Sequence, residues 1–336
     1  MLITGITGFV GSHMAEFLLG MKDKKIEVYG TYRWRSPLDN IEHIKDKVHL
    51  VNCELNDSKS TYIAITKSKP DVIFHLAAQS YVPVSFEEPS YTIETNVLGT
   101  LNVLEAIRLI RETDKSYDPI IHICSSSEVY GQVKKDEVPI TELNPLRPAS
   151  PYAVSKVGED YIALQYFLSY SLKVIRTRMF THTGPRRGSV FAESAFAKQI
   201  AEIELGIKKD STVYVGNLDS VRTFADVRDA VKAYWMLTQK CTPGEVYNIG
   251  GNRTMTVGEM LNYLISISTK KDEIKVKVRE SLLRPSDVTL QIPSIEKFVK
   301  ETGWKPEIPF ETTMKDLLDY WRKTLSAKQK ISASQQ

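Results

Sequence analysis

The sequence of 336 residues predicts an α/β protein: a doubly wound parallel sheet followed by a smaller mixed α/β C-terminal region. Three observations predict it. A glycine triplet, Gly5, Gly8 and Gly11, stands between a short apolar run and a helical stretch. Short apolar runs then alternate with helical stretches through the first half of the chain, which is the pattern of parallel strands buried on both faces. One of those runs ends in Ser125, Ser126 and Ser127, so its hydroxyls sit at a strand's carboxyl end, the edge where open α/β sheets gather ligands.

Composition narrows the classes. With 25% charged residues and a net charge of only +3, the chain is a soluble globular protein of about two domains with no single-sign field that argues for nucleic acid or membrane. Partners are therefore expected to be small molecules. Cys53, Cys124 and Cys241 are widely separated, and His13, His43, His49, His75, His122 and His182 show no ligand spacing, so neither disulfides nor a metal is expected. A secretory core and a twenty-residue apolar run are both missing from the sequence, and the expected compartment is the cytoplasm.

In chain order, Leu2-Ile3-Thr4 reads as the end of a strand with almost nothing before it, which predicts a frayed end. The turn Gly5, Thr7, Gly8, Phe9, Val10 and Gly11 then leads into a helix over 12–19. Glycines there permit a tight turn and close approach to a pyrophosphate, which the helix N-terminus attracts. A second strand over 26–31 completes a dinucleotide-binding reading. Where a carboxylate would hold ribose hydroxyls, the chain has Arg33, Trp34, Arg35 and Ser36. Two arginines and a serine suit a 2′-phosphate, so NADP is expected ahead of NAD.

Further strands are predicted over 48–51, 72–76, 120–123 and 174–177. Glu54 and Leu55 after the third, and Leu76, Ala77 and Ala78 after the fourth, fall on the cofactor edge. Ser150 caps a helix with Pro151 in its first turn, which puts Tyr152 and Lys156 on one face. A free phenol titrates near ~10 and a neighbouring ammonium lowers that value, so Tyr152 is a candidate general base. The helix over 152–169 is apolar around most of its circumference, which predicts cover on both sides, by the sheet on one and by a partner or the same subunit on the other, a homodimer or homotetramer being favoured.

The second half alternates helices over 194–206, 226–239 and 257–268 with strands over 213–215, 246–249 and 274–278. Trp304 and Trp321 read as packing residues for the last helix. Residues 325–336 are polar and aperiodic, which predicts a disordered tail.

Taken together, the glycine triplet, HLAAQSYVPVSFEEP, NVLGTLNVLEA, SSSEVYG, SPYAVSK and RPSDV resemble the extended short-chain dehydrogenase/reductase family of nucleotide-sugar enzymes. Within it the similarity is greatest to GDP-mannose 4,6-dehydratases and the related GDP-4-keto-6-deoxymannose reductases. The resemblance implies a Rossmann domain over 1–178 and a sugar-nucleotide domain over 179–324 interleaved with the end of the sheet. It implies a catalytic set of Ser126, Tyr152 and Lys156, with Glu128 at the extra acid/base position of the dehydratases. It also implies substrate contacts from Ser80, Thr181, Arg187, Lys198, Arg222, Arg284 and Asp287, the two arginines at 222 and 284 clamping a diphosphate. Thr181 stands where the family has asparagine, Thr183 where the GDP-mannose pattern is acidic, and Thr223 where an aspartate is usual. These departures leave the sugar open.

Three classes of function remain open at this point: a GDP-sugar 4,6-dehydratase, which needs Glu128; a 4-keto-sugar reductase that consumes NADPH; and a non-enzymatic NADP-binding protein. The joint presence of Ser126, Tyr152 and Lys156 disfavours the third.

Overall fold

Apolar runs short enough for strands and buried on both faces become one parallel sheet. In the computed structural model, which describes residues 1–22 and 25–334, the first half runs β1 (Leu2–Thr4), α1 (Phe9–Leu19), β2 (Tyr29–Tyr32), β3 (His49–Asn52), α2 (Ser58–Ser68), β4 (Val72–His75), α3 (Val82–Glu87), α4 (Pro89–Ile93), α5 (Gly99–Thr113), β5 (Ile120–Ser126), α6 (Pro151–Tyr170) and β6 (Lys173–Met179). The second half continues with β7 (His182–Thr183), α7 (Ala192–Glu204), β8 (Thr212–Val215), β9 (Val221–Asp226), α8 (Val227–Lys240), β10 (Val246–Ile249), β11 (Arg253–Thr256), α9 (Val257–Ser266), β12 (Lys275–Val278), β13 (Leu290–Gln291), α10 (Glu296–Thr302) and α11 (Phe310–Ser334).

Seven strands form the main sheet in the order β10-β6-β5-β4-β1-β2-β3, all parallel. The chain winds outward from β1 to β3, then restarts at β4 on the other side of β1. That reversal opens a crevice at the strand carboxyl ends. β1 is not frayed as expected. It lies between β2 and β4, its three residues are buried, and the Met1 ammonium donates to the Glu27 carbonyl at 2.8 Å.

One face of the sheet is covered by α1 and α8, whose Met14, Leu18, Val231 and Tyr234 enter one apolar core. The other is covered by α2, α5 and α6 through Ile65, Val103, Ile107 and Ala163. A third core, with Ile200, Val213, Phe224, Leu264, Leu317 and Trp321, holds α7, α9 and α11 around the shorter strands of the second half. β10 returns from that half to finish the large sheet, beside β6. Trp304 departs from the expectation, since it packs with Phe298 in the core of the large sheet rather than in the small domain.

The predicted tail is also corrected. α11 continues to Ser334, because Leu325 is buried in the third core and the following Ala-Lys-Gln-Lys segment is made of good helix formers. Residues 335–336 of that predicted tail lie outside the described residues.

Candidate active site

The crevice has a volume of about 1270 Å³, more than the ~300–1,000 Å³ of a pocket for one small ligand. Two ligands can lie side by side in it. Its floor is the glycine turn. Gly5 has φ +70°, and a Cβ there would stand 3.0 Å from the Ala77 Cα; a Cβ on Gly11 would stand 2.3 Å from the Gly5 carbonyl oxygen. Both positions therefore demand glycine. Gly8 caps α1, with no side chain closing the cap and no acidic residue in the first turn, so the first amides of the helix face the crevice as an anion site. This cradle fits the pyrophosphate of a dinucleotide.

Thr7, Phe9 and Val10 line the same floor, and Leu76, Ala77 and Ala78 the wall beside it. That wall is fixed by one hydroxyl. Thr4 Oγ1 accepts the amides of Leu76 and Ala77 at 3.0 and 3.1 Å, so its own proton goes to His75 Nδ1 at 3.0 Å. His75 Nε2 then donates to Thr100 Oγ1 at 3.1 Å, whose proton goes to the Asn96 carbonyl at 2.7 Å. The ring is thus neutral, and burial pushes its pKa down to about 3.

At the far end Arg33, Ser36, Glu54 and Leu55 line the crevice, with Arg33 donating to the Tyr91 hydroxyl at 3.0 Å. Arg35 does not, contrary to expectation. The turn closed by the Ser36 amide on the Arg33 carbonyl at 2.8 Å carries Trp34 and Arg35 outward, and both are exposed.

The proposed catalytic residues meet in the middle. Ser126 ends β5, and its hydroxyl accepts the Glu128 amide at 3.2 Å, which starts a tight turn over Ser127–Tyr130. Ser150 caps α6 by accepting the Ala153 amide at 3.0 Å, and the first turns of α6 bring Tyr152 and Lys156 to the same wall. Lys156 Nζ stands 5.8 Å from the centre of the Tyr152 ring and donates to the Cys124 carbonyl at 3.0 Å. The expected acidification of Tyr152 is reversed here: burial pushes the phenol up, while Lys156 and the Ser126 hydroxyl pull it down. Burial is the larger effect, and Glu159, whose carboxylate takes Lys156 Nζ at 2.9 Å, adds to it by offsetting part of the ammonium's field. Burial also raises the Glu128 carboxyl, against the pull of Arg222 and Arg284.

Arg222, Arg284 and Asp287 converge on the opposite wall. The resemblance implies a substrate contact for Asp287. Its carboxylate is instead engaged within the chain: Asn217 and Ser220 donate to one oxygen at 2.9 and 3.0 Å, and Arg222 and Arg284 lie 3.5 and 4.0 Å from the other. It fixes the two guanidiniums. Ser80, Thr181 and Arg187 also line the crevice, and Arg187 is sandwiched 3.6 Å from the Phe191 ring and 5.2 Å from the Phe9 ring. Neighbouring Arg186 also lines the crevice, with its guanidinium taken up by Glu16, His13 and the Asn40 carbonyl. Lys198 is the clearest miss. It lies off the crevice, with its ammonium 5.6 Å from the Trp321 ring and 3.6 Å from Glu202, one helical turn on.

Gln291, Glu193 and Glu159 are among the residues in or beside the crevice that escaped the sequence reading. Gln291 donates to Glu128 at 3.4 Å while accepting the Ser127 hydroxyl at 2.9 Å; β13 is too short to carry a periodic signal. Glu193, buried at the start of α7, lines the crevice. Glu159 was legible, three residues after Lys156 on one helical face.

A phenol, an ammonium and a hydroxyl converging beside a dinucleotide cradle, with an arginine pair across the crevice, define an extended short-chain dehydrogenase/reductase of the nucleotide-sugar-modifying kind. A family profile described as GDP-mannose 4,6 dehydratase matches residues 2–317, and the chain belongs to that family. It is 34% identical to the GDP-mannose 4,6-dehydratase of Yersinia enterocolitica, covering 92% of this chain and 90% of that one. It is 30% identical to the GDP-6-deoxy-D-mannose reductase of Pseudomonas aeruginosa, covering 96% of each. Among solved structures, RMD from Pseudomonas aeruginosa complexed with NADPH superposes with a TM-score of 0.79 at 28% identity over 96% of this chain and 99% of that one. A dTDP-glucose 4,6-dehydratase of Streptomyces venezuelae with NAD and TYD bound gives 0.81 at 25% identity over 96% of each.

Proposed function

We propose that this chain is a nucleotide-sugar 4,6-dehydratase that converts GDP-mannose to GDP-4-keto-6-deoxymannose with NADP as a self-regenerating cofactor, alternatively NAD. The observation that carries it is Glu128, a carboxyl raised by burial that lines the same crevice as Ser126, Tyr152 and Lys156. A plain oxidation or reduction does not need it. Bound NADP would accept hydride from carbon 4 and return it at carbon 6.

The chain's own residues do the rest. Tyr152 takes the proton of the carbon-4 hydroxyl, and Ser126 holds that oxygen. Lys156 stabilises the phenolate and has one N–H left for the nicotinamide ribose after its bonds to Cys124 and Glu159. The 4-ketone acidifies the carbon-5 proton, which Glu128 removes before it protonates the departing carbon-6 hydroxyl, and carbon 5 regains a proton as Tyr152 gives up the one it took. Arg222 and Arg284 clamp the diphosphate, oriented by Asp287. Arg33 and Ser36 at the adenosine end support the 2′-phosphate reading.

Similarity to the reductase from Pseudomonas aeruginosa favours a second reading, a GDP-4-keto-6-deoxy-sugar reductase. Incubation with GDP-mannose and catalytic NADP separates the two: a dehydratase forms the 4-keto product with loss of water and no added reductant, whereas a reductase leaves GDP-mannose untouched and turns over only the keto sugar with stoichiometric NADPH.

Val154, Tyr161 and Leu168 form an exposed stripe along α6, and Leu98 and Leu109 are exposed on or next to α5. These faces support a homodimer, or a homotetramer built on it. Among the described residues no helix is long and apolar enough to cross a membrane, and the three cysteines are free, which supports a place in the reducing cytoplasm.

A further inference from the structure

Glu159 is a buried carboxylate that the proposed reaction does not use. It lies on α6 behind Lys156, on the side away from the crevice, and is 1% exposed. Its Oε2 holds Lys156 Nζ at 2.9 Å, and its Oε1 has no hydrogen-bond partner. A buried acid half-satisfied in this way is costly. Its single partner is the ammonium next to the proposed base.

Lys156 has three N–H donors. The Cys124 carbonyl and Glu159 fix two of them, which sets the direction of the third. We propose that Glu159 is a positioning residue of the site: it fixes where the Lys156 ammonium sits and how much of its charge reaches the Tyr152 phenol. This inference rests on the reading of Tyr152 as the base.

The surroundings leave Glu159 as the adjustable charge. On α6 itself, Asp160 is taken up by Arg176 and Arg178 of β6 at 2.6 and 2.8 Å. From β4, His75 is neutral within its threonine bonds. From β5 and the turn after it, Cys124, Ser126 and Glu128 face the Lys156 and Tyr152 end, as do Tyr234 of α8 and Arg187 of the loop between β7 and α7. Burial raises the Glu159 carboxyl to about 7 despite Lys156, and its charge raises the phenol. Loss of that charge therefore lowers the phenol, so the deprotonated base persists to lower pH.

The test is the pH profile of kcat/KM for GDP-mannose dehydration. Glu159→Gln keeps the shape and removes the charge, and should move the acid limb of the profile down by on the order of one pH unit. Glu159→Asp draws the charge back by one methylene and should move it the same way by less. A limb that stays in place or moves up in whichever of the two variants folds overturns the inference. Tyr152→Phe is the control. If it keeps wild-type turnover, the base assignment and this inference both fall; if it abolishes turnover while the Gln and Asp profiles stay in place, only the role of Glu159 falls.

Discussion

Gln291 reaches from the last strand of the second half to Glu128, donating to its Oε1 at 3.4 Å while Ser127 fixes the other end of the amide at 2.9 Å. Because Ser127 donates to the amide oxygen, the NH₂ group must face the carboxyl. β13 pairs Gln291 with Arg222 of β9, so the strand that borders the proposed acid runs beside the strand that carries Arg222 of the proposed phosphate clamp.

Glu128→Gln should therefore slow elimination more than oxidation. Loss of a positioned acid/base typically costs ~10²–10⁴-fold. Exchange of solvent deuterium into carbon 5 should fall by that order, while reduced cofactor still forms in a single turnover. Equal loss in both steps would remove Glu128 from the elimination.

Tyr152→Phe keeps the ring and deletes the phenol. Turnover should drop by at least ~10²-fold, with NADP affinity within a few-fold of wild type by fluorescence titration, since the glycine cradle is untouched.

Cofactor choice should follow Arg33 rather than Arg35. Arg33 lines the crevice and Arg35 is turned outward. Arg33→Asp is expected to cut the NADP-to-NAD preference in kcat/KM by about tenfold or more, the size of one charge-assisted phosphate contact, and Arg35→Asp to change it little.

Acid should destabilise the fold. His75 and His122 are buried and pushed down to about 3, so below ~6.5 the unfolded chain binds protons that the folded chain refuses. Stability is thus lost as pH falls from ~6.5 toward 3, at about 2 kcal/mol for each ring by pH 5. Denaturant titrations at pH 7 and 5 measure the sum, to which His182 and His13, pushed down by burial to about 3 and about 4, also contribute, and His122→Gln should remove one share of the difference.

Asp160 anchors two buried ion pairs. It is fully buried and takes Arg176 at 2.6 Å and Arg178 at 2.8 Å. Asp160→Asn leaves two buried guanidiniums without a counter-charge and should cost about 3–5 kcal/mol, read as a lower urea midpoint.

What could be read from the chain was local. Gly5, Gly8 and Gly11, the hydroxyl at 126 and the spacing of Tyr152 and Lys156 lie within one turn or one helix, so their geometry follows from sequence distance alone. What could not be read depends on sums over distant groups. The Tyr152 phenol moves up because burial outweighs Lys156, and burial is set by the whole fold. Lys198 stands on the predicted helix, yet its direction was decided by Trp321, more than a hundred residues away. Arg35 was lost to a turn whose closing bond has no signature in its side chains. The helical end of the chain was missed because aperiodic polarity outweighed propensity, while Leu325 supplied the anchor.

The return of β10 to the edge of β6 makes the two halves mechanically inseparable. A fragment ending near residue 240 would leave the long β6 edge open, a template for association with other chains; grafting a different sugar-recognising half would have to enter as insertions between β6 and β10 and after β10. Diversification of substrate in such a framework proceeds by remodelling loops around an unbroken run of strands, and truncation is expected to yield aggregates rather than a smaller working protein.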